Sequence, residues 1–95
     1  MTSPVELFET LAAEAASRHG VARNRRGSLV LDDGGVRAMT SRGAIVVKLD
    51  PDRVRALVRA GTGRHYKGQA NAWLELAPDT GEETCRRLVD ESLAW

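Results

Sequence analysis

Two groups of basic side chains carry the first chemical signal in this chain: Arg23, Arg25 and Arg26 ahead of the first apolar run, and Arg64, His65 and Lys67 in a glycine-rich stretch, residues 61–69. Each group has the means to hold phosphate, because guanidinium forks make paired hydrogen bonds to phosphate oxygens and a lysine adds a compact charge. Twelve of the fourteen cations are arginine, which suits that role but equally reflects genome base composition. Exposed charge kept for solubility is the plainer reading of both groups. The thirteen acidic residues leave a net charge of +1, so affinity for a nucleic-acid backbone is expected to be local, weak and steeply salt-dependent.

Other chemistries find little support. Gly61-Thr62-Gly63-Arg64-His65-Tyr66 departs from the dinucleotide-binding fingerprint at Tyr66, and Gly68-Gln69 lacks the lysine of a phosphate-binding loop. His19 and His65 are available as general bases, yet no nucleophile sits in a recognisable elbow and no spacing of carboxylates selects an acid–base pair. Cys85, the single cysteine, falls on the apolar stripe of a helix and reads as an inert buried thiol, and no cluster of ligands suggests zinc. The expectation is a chain that is not an enzyme and needs no metal or cofactor.

Ninety-five residues, 42% apolar and 28% charged, describe one globular domain spanning residues 1–95 with a thin core. No apolar run approaches the roughly 20 residues of a membrane span, and Glu6, Glu9 and Glu14 stand where a signal peptide would be apolar, so a cytoplasmic location is expected.

The basic groups must be positioned by the elements between them. Ser3, Pro4 and Glu6 make a capping box and first-turn proline, and Leu7, Phe8, Leu11, Ala12 and Ala15 form one stripe, which predicts a helix over residues 4–18. Strands are predicted at 28–31, 36–41 and 44–49, joined by Asp32-Asp33-Gly34-Gly35 and Ser41-Arg42-Gly43 as hairpin turns. Asp50-Pro51 opens a short helix that stops at Gly61, and its Arg55 and Arg59 point to solvent. Residues 61–69 read as a loop or a short irregular strand, followed by a strand at 72–76. Thr80 with Glu83 predicts a capping box for a last helix, with Glu83 and Arg87 paired on its outer face. The result is an α+β domain: an antiparallel sheet with packed helices, in the order α-β-β-β-α-(β)-β-α.

Period-two alternation assigns Leu29, Leu31, Ile45, Val47, Leu49, Leu74 and Leu76 to the helix-covered face. It leaves Val30, Arg37, Met39, Val46, Lys48 and Trp73 for the other. Val30, Met39, Val46 and Trp73 are apolar enough to want a cover, either a helix or second subunit, or a base stacked on Trp73 between Arg37 and Lys48.

The run Ala44-Ile45-Val46-Val47-Lys48-Leu49-Asp50-Pro51-Asp52-Arg53-Val54 resembles a segment shared by MmcQ/YjbR-like proteins and the TfoX amino-terminal domain. Gly63-Arg64-His65-Tyr66-Lys67 followed by Trp73, and Leu88-Val89-Asp90-Glu91-Ser92, look closer to the MmcQ/YjbR group. The resemblance spans roughly residues 27–95 and departs at Gly68-Gln69-Ala70-Asn71-Ala72, where the family is more polar. It implies a fold like that of secretion chaperones and a DNA-binding role. Two expectations follow. One is a non-enzymatic DNA-binding domain using Arg64, His65 and Lys67, with Arg25, Arg26, Arg37 and Lys48 as further contacts. The alternative is a homodimeric, chaperone-like interaction module joined through Val30, Met39, Val46 and Trp73.

Overall fold

In the computed structural model, which describes residues 3–66 and 71–95, six short strands form one sheet in the order β1-β2-β3-β4-β6-β5, with every pairing antiparallel. The elements are α1 (Pro4–Ala16), β1 (Val21–Arg23), β2 (Leu29–Leu31), β3 (Val36–Ser41), β4 (Ala44–Lys48), α2 (Pro51–Arg59), β5 (Gly63–His65), β6 (Trp73–Leu76) and α3 (Glu82–Ala94). This is a compact α+β fold. It differs from the expected order by one strand, β1, and it resolves the loop-or-strand ambiguity at 61–69 in favour of a strand at Gly63–His65. β1 is only three residues long and alternates little, so its pairing with β2 supplies what its own sequence does not announce.

Local signals account for most boundaries. The Ser3 hydroxyl accepts the Glu6 amide at 3.2 Å and Pro4 opens α1. The Asp50 side chain accepts the Asp52 amide at 2.8 Å ahead of Pro51. α2 ends in a Schellman arrangement: the Gly61 amide bonds Val58, the Thr62 amide bonds Leu57, and Gly61 takes the left-handed φ of 81° that this ending requires. Arg42 and Gly43 both have positive φ, 52° and 82°, as the two-residue turn between β3 and β4 demands.

The last helix starts differently from its predicted capping box. Gly81 is the N-cap, with no side-chain cap, because the Thr80 hydroxyl is turned to the Thr62 carbonyl, 3.3 Å away, where it helps hold the start of β5. The ion pairs on α3 are those of Arg86 with Glu82 and Glu14, Asp90 with Arg18 and Glu91 with Arg53, and not the Glu83 and Arg87 combination expected from spacing. The Arg86 pair with Glu14 and the Asp90 pair with Arg18 tie α3 to α1 and the residue just after it.

All three helices pack on one side of the sheet. α1 contributes Phe8, Leu11 and Ala12, α2 contributes Val54 and Leu57, and α3 contributes Cys85, Leu88 and Val89 to a core with Leu29, Ala38, Ile45, Val47, Leu49, Leu74 and Leu76. Of the seven strand residues assigned to this face, Leu31 alone is outside that core, half-buried at the end of β2. No described helix is long and apolar enough to cross a membrane.

Candidate nucleic-acid interface

The other face of the sheet carries no described helix, and strand register decides what it presents. Met39 lies opposite Val46, Val46 opposite Glu75, Lys48 opposite Trp73, and Arg64 opposite Glu75. Tyr66 continues the register with its amide on the Trp73 carbonyl, and its hydroxyl is 2.7 Å from the Ser41 hydroxyl. Tyr66 thus spans the face from β5 to the end of β3. Val46 is completely buried beneath this layer of side chains although it lies outside the helix-side core.

The Tyr66 and Ser41 bridge separates two hollows and lines both. One, of about 440 Å³, is bordered by Asn24, Arg26, Ser28, Val36, Met39, Thr40 and Trp73 as well. The second, of about 610 Å³, is bordered by Arg42, Arg64, His65 and Glu75. Both fall within the size range of sites that take small organic ligands. Asn24 organises the rim of the first: its Oδ1 accepts the amides of Arg26 and Ser28 at 2.9 and 3.0 Å, which fixes the turn that carries Arg26.

Arg37 sits at a β-bulge. Leu29 pairs with Ala38 and Val30 with Val36, so Arg37 is the extra residue on β3. Its side chain is only 13% exposed, has Asp33 at 3.7 Å, and keeps a buried Nε with no hydrogen-bond partner. Its guanidinium lies 5.9 Å from the Trp95 ring centre, and Lys48 Nζ lies 6.0 Å from Trp73 and 5.8 Å from Trp95. Two cations and two indoles therefore meet at one end of the sheet, in cation–π range.

The cationic candidates divide accordingly. Arg26, Arg64, Arg37 and Lys48 border the open face. Arg64 is 78% exposed but holds Glu75, with Nη2 at 2.7 Å and Nε at 2.9 Å from the same Oε2. Register places His65 with Leu74 on the opposite side of the exposed edge strand, so it borders the second hollow from the strand edge and does not stand beside Arg64. Arg25 is exposed in the turn before β2 and lines neither hollow. Lys67 lies outside the described residues. Of the apolar candidates, Met39 and Trp73 line the first hollow, Val30 is half-buried on β2, and Val46 is covered. Sequence reasoning missed Arg42, Tyr66, Ser41 and Trp95 as parts of this face. Arg42 was readable only as a turn residue, Tyr66 and Ser41 meet across 25 positions, and nothing local marks a final tryptophan.

On the helix side Arg18, Arg23, Arg53 and Arg86 are each paired with a carboxylate. Among the described residues Arg25, Arg26, Arg42, Lys48, Arg59 and Arg87 are in no salt bridge; of these, Arg26, Arg42 and Lys48 border the open face, whereas Arg59 and Arg87 stand on α2 and α3. Cys85 is buried on the helix side, where desolvation and the neighbouring Glu82 push its thiol pKa up. Among the described residues no group of three or more His, Cys, Asp or Glu is placed to hold a metal ion. No protein-family model, curated protein or solved structure matches this chain.

Proposed function

We propose that the chain is a small non-enzymatic binding domain of the MmcQ/YjbR-like type, with the secretion-chaperone-like variant of the α+β fold, and that it binds DNA weakly on its open sheet face. The observation that carries this reading is the grouping of cations with aromatic rings there: exposed Arg26, Arg42 and Arg64 and half-buried Lys48 border the face that holds Tyr66 and Trp73. Cations meet the phosphate backbone and rings meet bases, a combination that suits sequence-tolerant binding. The near-neutral whole keeps long-range attraction small, so binding depends on these local contacts.

The homodimer alternative draws less support from the same face. Val46, the centre of the expected apolar patch, is already buried within one chain. Among the described residues the exposed large apolar side chains are Val5 and Trp95, and neither is on a strand.

Titration of labelled single-stranded and duplex DNA at low and moderate salt tests the proposal. Binding that weakens steeply with salt and is largely lost when Arg42→Ala and Arg64→Ala are combined is expected. No binding at low salt, or binding indifferent to both substitutions, overturns it. Light scattering on the same samples reports the alternative, as a dimer whose formation Met39→Glu abolishes.

A further inference from the structure

The two hollows differ in chemistry, and each suits a different ligand group. The first joins a ring, a thioether and an amide: Trp73, Met39 and Asn24. With its Oδ1 committed to two backbone amides, Asn24 is left with its NH₂ group as a donor. A flat, aromatic ligand with acceptor atoms on its edge fits those groups. The second hollow is more polar and is flanked by Arg42 and Arg64, the latter held by Glu75, and these guanidiniums fit an anion. Tyr66 and Ser41 form the wall common to both, so neighbouring groups of one ligand can reach the two hollows together.

Resting on the DNA-binding reading above, we propose that the unit recognised is one unpaired nucleotide, its base in the Trp73 hollow and its phosphate beside Arg42 and Arg64, so that the domain takes single strands in preference to duplexes. Within a duplex the base faces are hidden by stacking, and a nucleotide would have to be extruded to reach Trp73. An open sheet face with aromatic side chains is instead a platform for splayed bases.

The test uses the full chain carrying Trp95→Phe, which leaves Trp73 as the one indole. Labelled (dT)12, an abasic strand of the same length, a G·C-rich hairpin duplex that stays paired at low salt, and dTMP are titrated at low salt, with anisotropy or competition giving affinity and indole fluorescence reporting contact. Loss of the base is expected to weaken binding about tenfold or more, as one stacked base is worth. The duplex is expected to be weaker by a similar factor, dTMP is expected to displace (dT)12 from the site, and (dT)12 is expected to quench Trp73. Equal affinity for the abasic strand or the duplex, no competition by dTMP, or binding without any change at Trp73 overturns the proposal and leaves the DNA-binding reading standing. No binding of any nucleic acid overturns both. Repeating the affinity series with unsubstituted chain guards against damage from Trp95→Phe.

Discussion

Glu75 is the carboxylate that a phosphate must contend with on the open face, which makes Glu75→Gln the most informative single change. Glu75 is mostly shielded, at 19% exposure, and holds Arg64 through Oε2 at 2.7 Å. A phosphate on the outer edge of Arg64 would lie about 6 Å from that carboxylate. At effective dielectrics from about 80 down to about 20 the repulsion is ~0.7–2.8 kcal/mol. Screening over the roughly 10 Å Debye length of 0.1 M salt about halves this, to ~0.4–1.5 kcal/mol. Gln keeps the size and a carbonyl acceptor for Arg64 while removing the charge. Glu75→Gln is therefore expected to tighten binding of a labelled (dT)12 strand by about two- to tenfold, measured by anisotropy at 0.1 M salt. The gain shrinks at higher salt. An unchanged or weaker affinity, in a variant whose thermal midpoint matches the parent, would refute the placement of phosphate at Arg64.

Three further outcomes test the fold and its electrostatics. Gly43→Ala should cost about 1–2 kcal/mol in urea unfolding, because Gly43 has φ 82° with open space around it, so the penalty is that of the backbone alone. The hydrogen bonds from Arg23 hold Glu9 below the usual carboxylate value of 4.5, with a smaller charge attraction assisting and slight burial opposing. Because the folded-state pKa is the lower one, this contribution is present above the unfolded value and is lost as pH falls through the folded value; Glu9→Gln should flatten that acid limb of thermal midpoint against pH. Cys85 should react slowly with an aromatic disulfide reagent in the native chain at mildly alkaline pH and rapidly once denatured, since burial both covers the thiol and raises its pKa.

Much of the architecture was legible because it rests on local chemistry. Ser3-Pro4, Asp50-Pro51 and Gly61 set helix ends through hydrogen bonds made within a few residues, and Arg42-Gly43 sets a hairpin through φ alone. Alternation sorted Met39, Val46, Lys48 and Trp73 onto one face, and the register bears this out. Features that depend on distant partners were not legible. β1 exists because Val21–Arg23 finds β2, and Thr80 gives up its cap for a carbonyl 18 residues away. The bulge at Arg37 and the pairing of Tyr66 with Ser41 likewise arise from how strands meet, so the two hollows cannot be read from spacing. The arginine-rich clusters pointed toward phosphate, but register divides Arg64 from His65, and Arg42, seen only as a turn residue, joins Arg64 in their place.

Amide and indole chemical-shift mapping of isotope-labelled protein with (dT)12 addresses the role of the open face most directly. Binding there predicts the largest shifts at Met39, Ser41, Arg42, Tyr66 and the Trp73 indole, with α1 and α3 little changed. Shifts concentrated on the helix layer, or none under low salt, would contradict it.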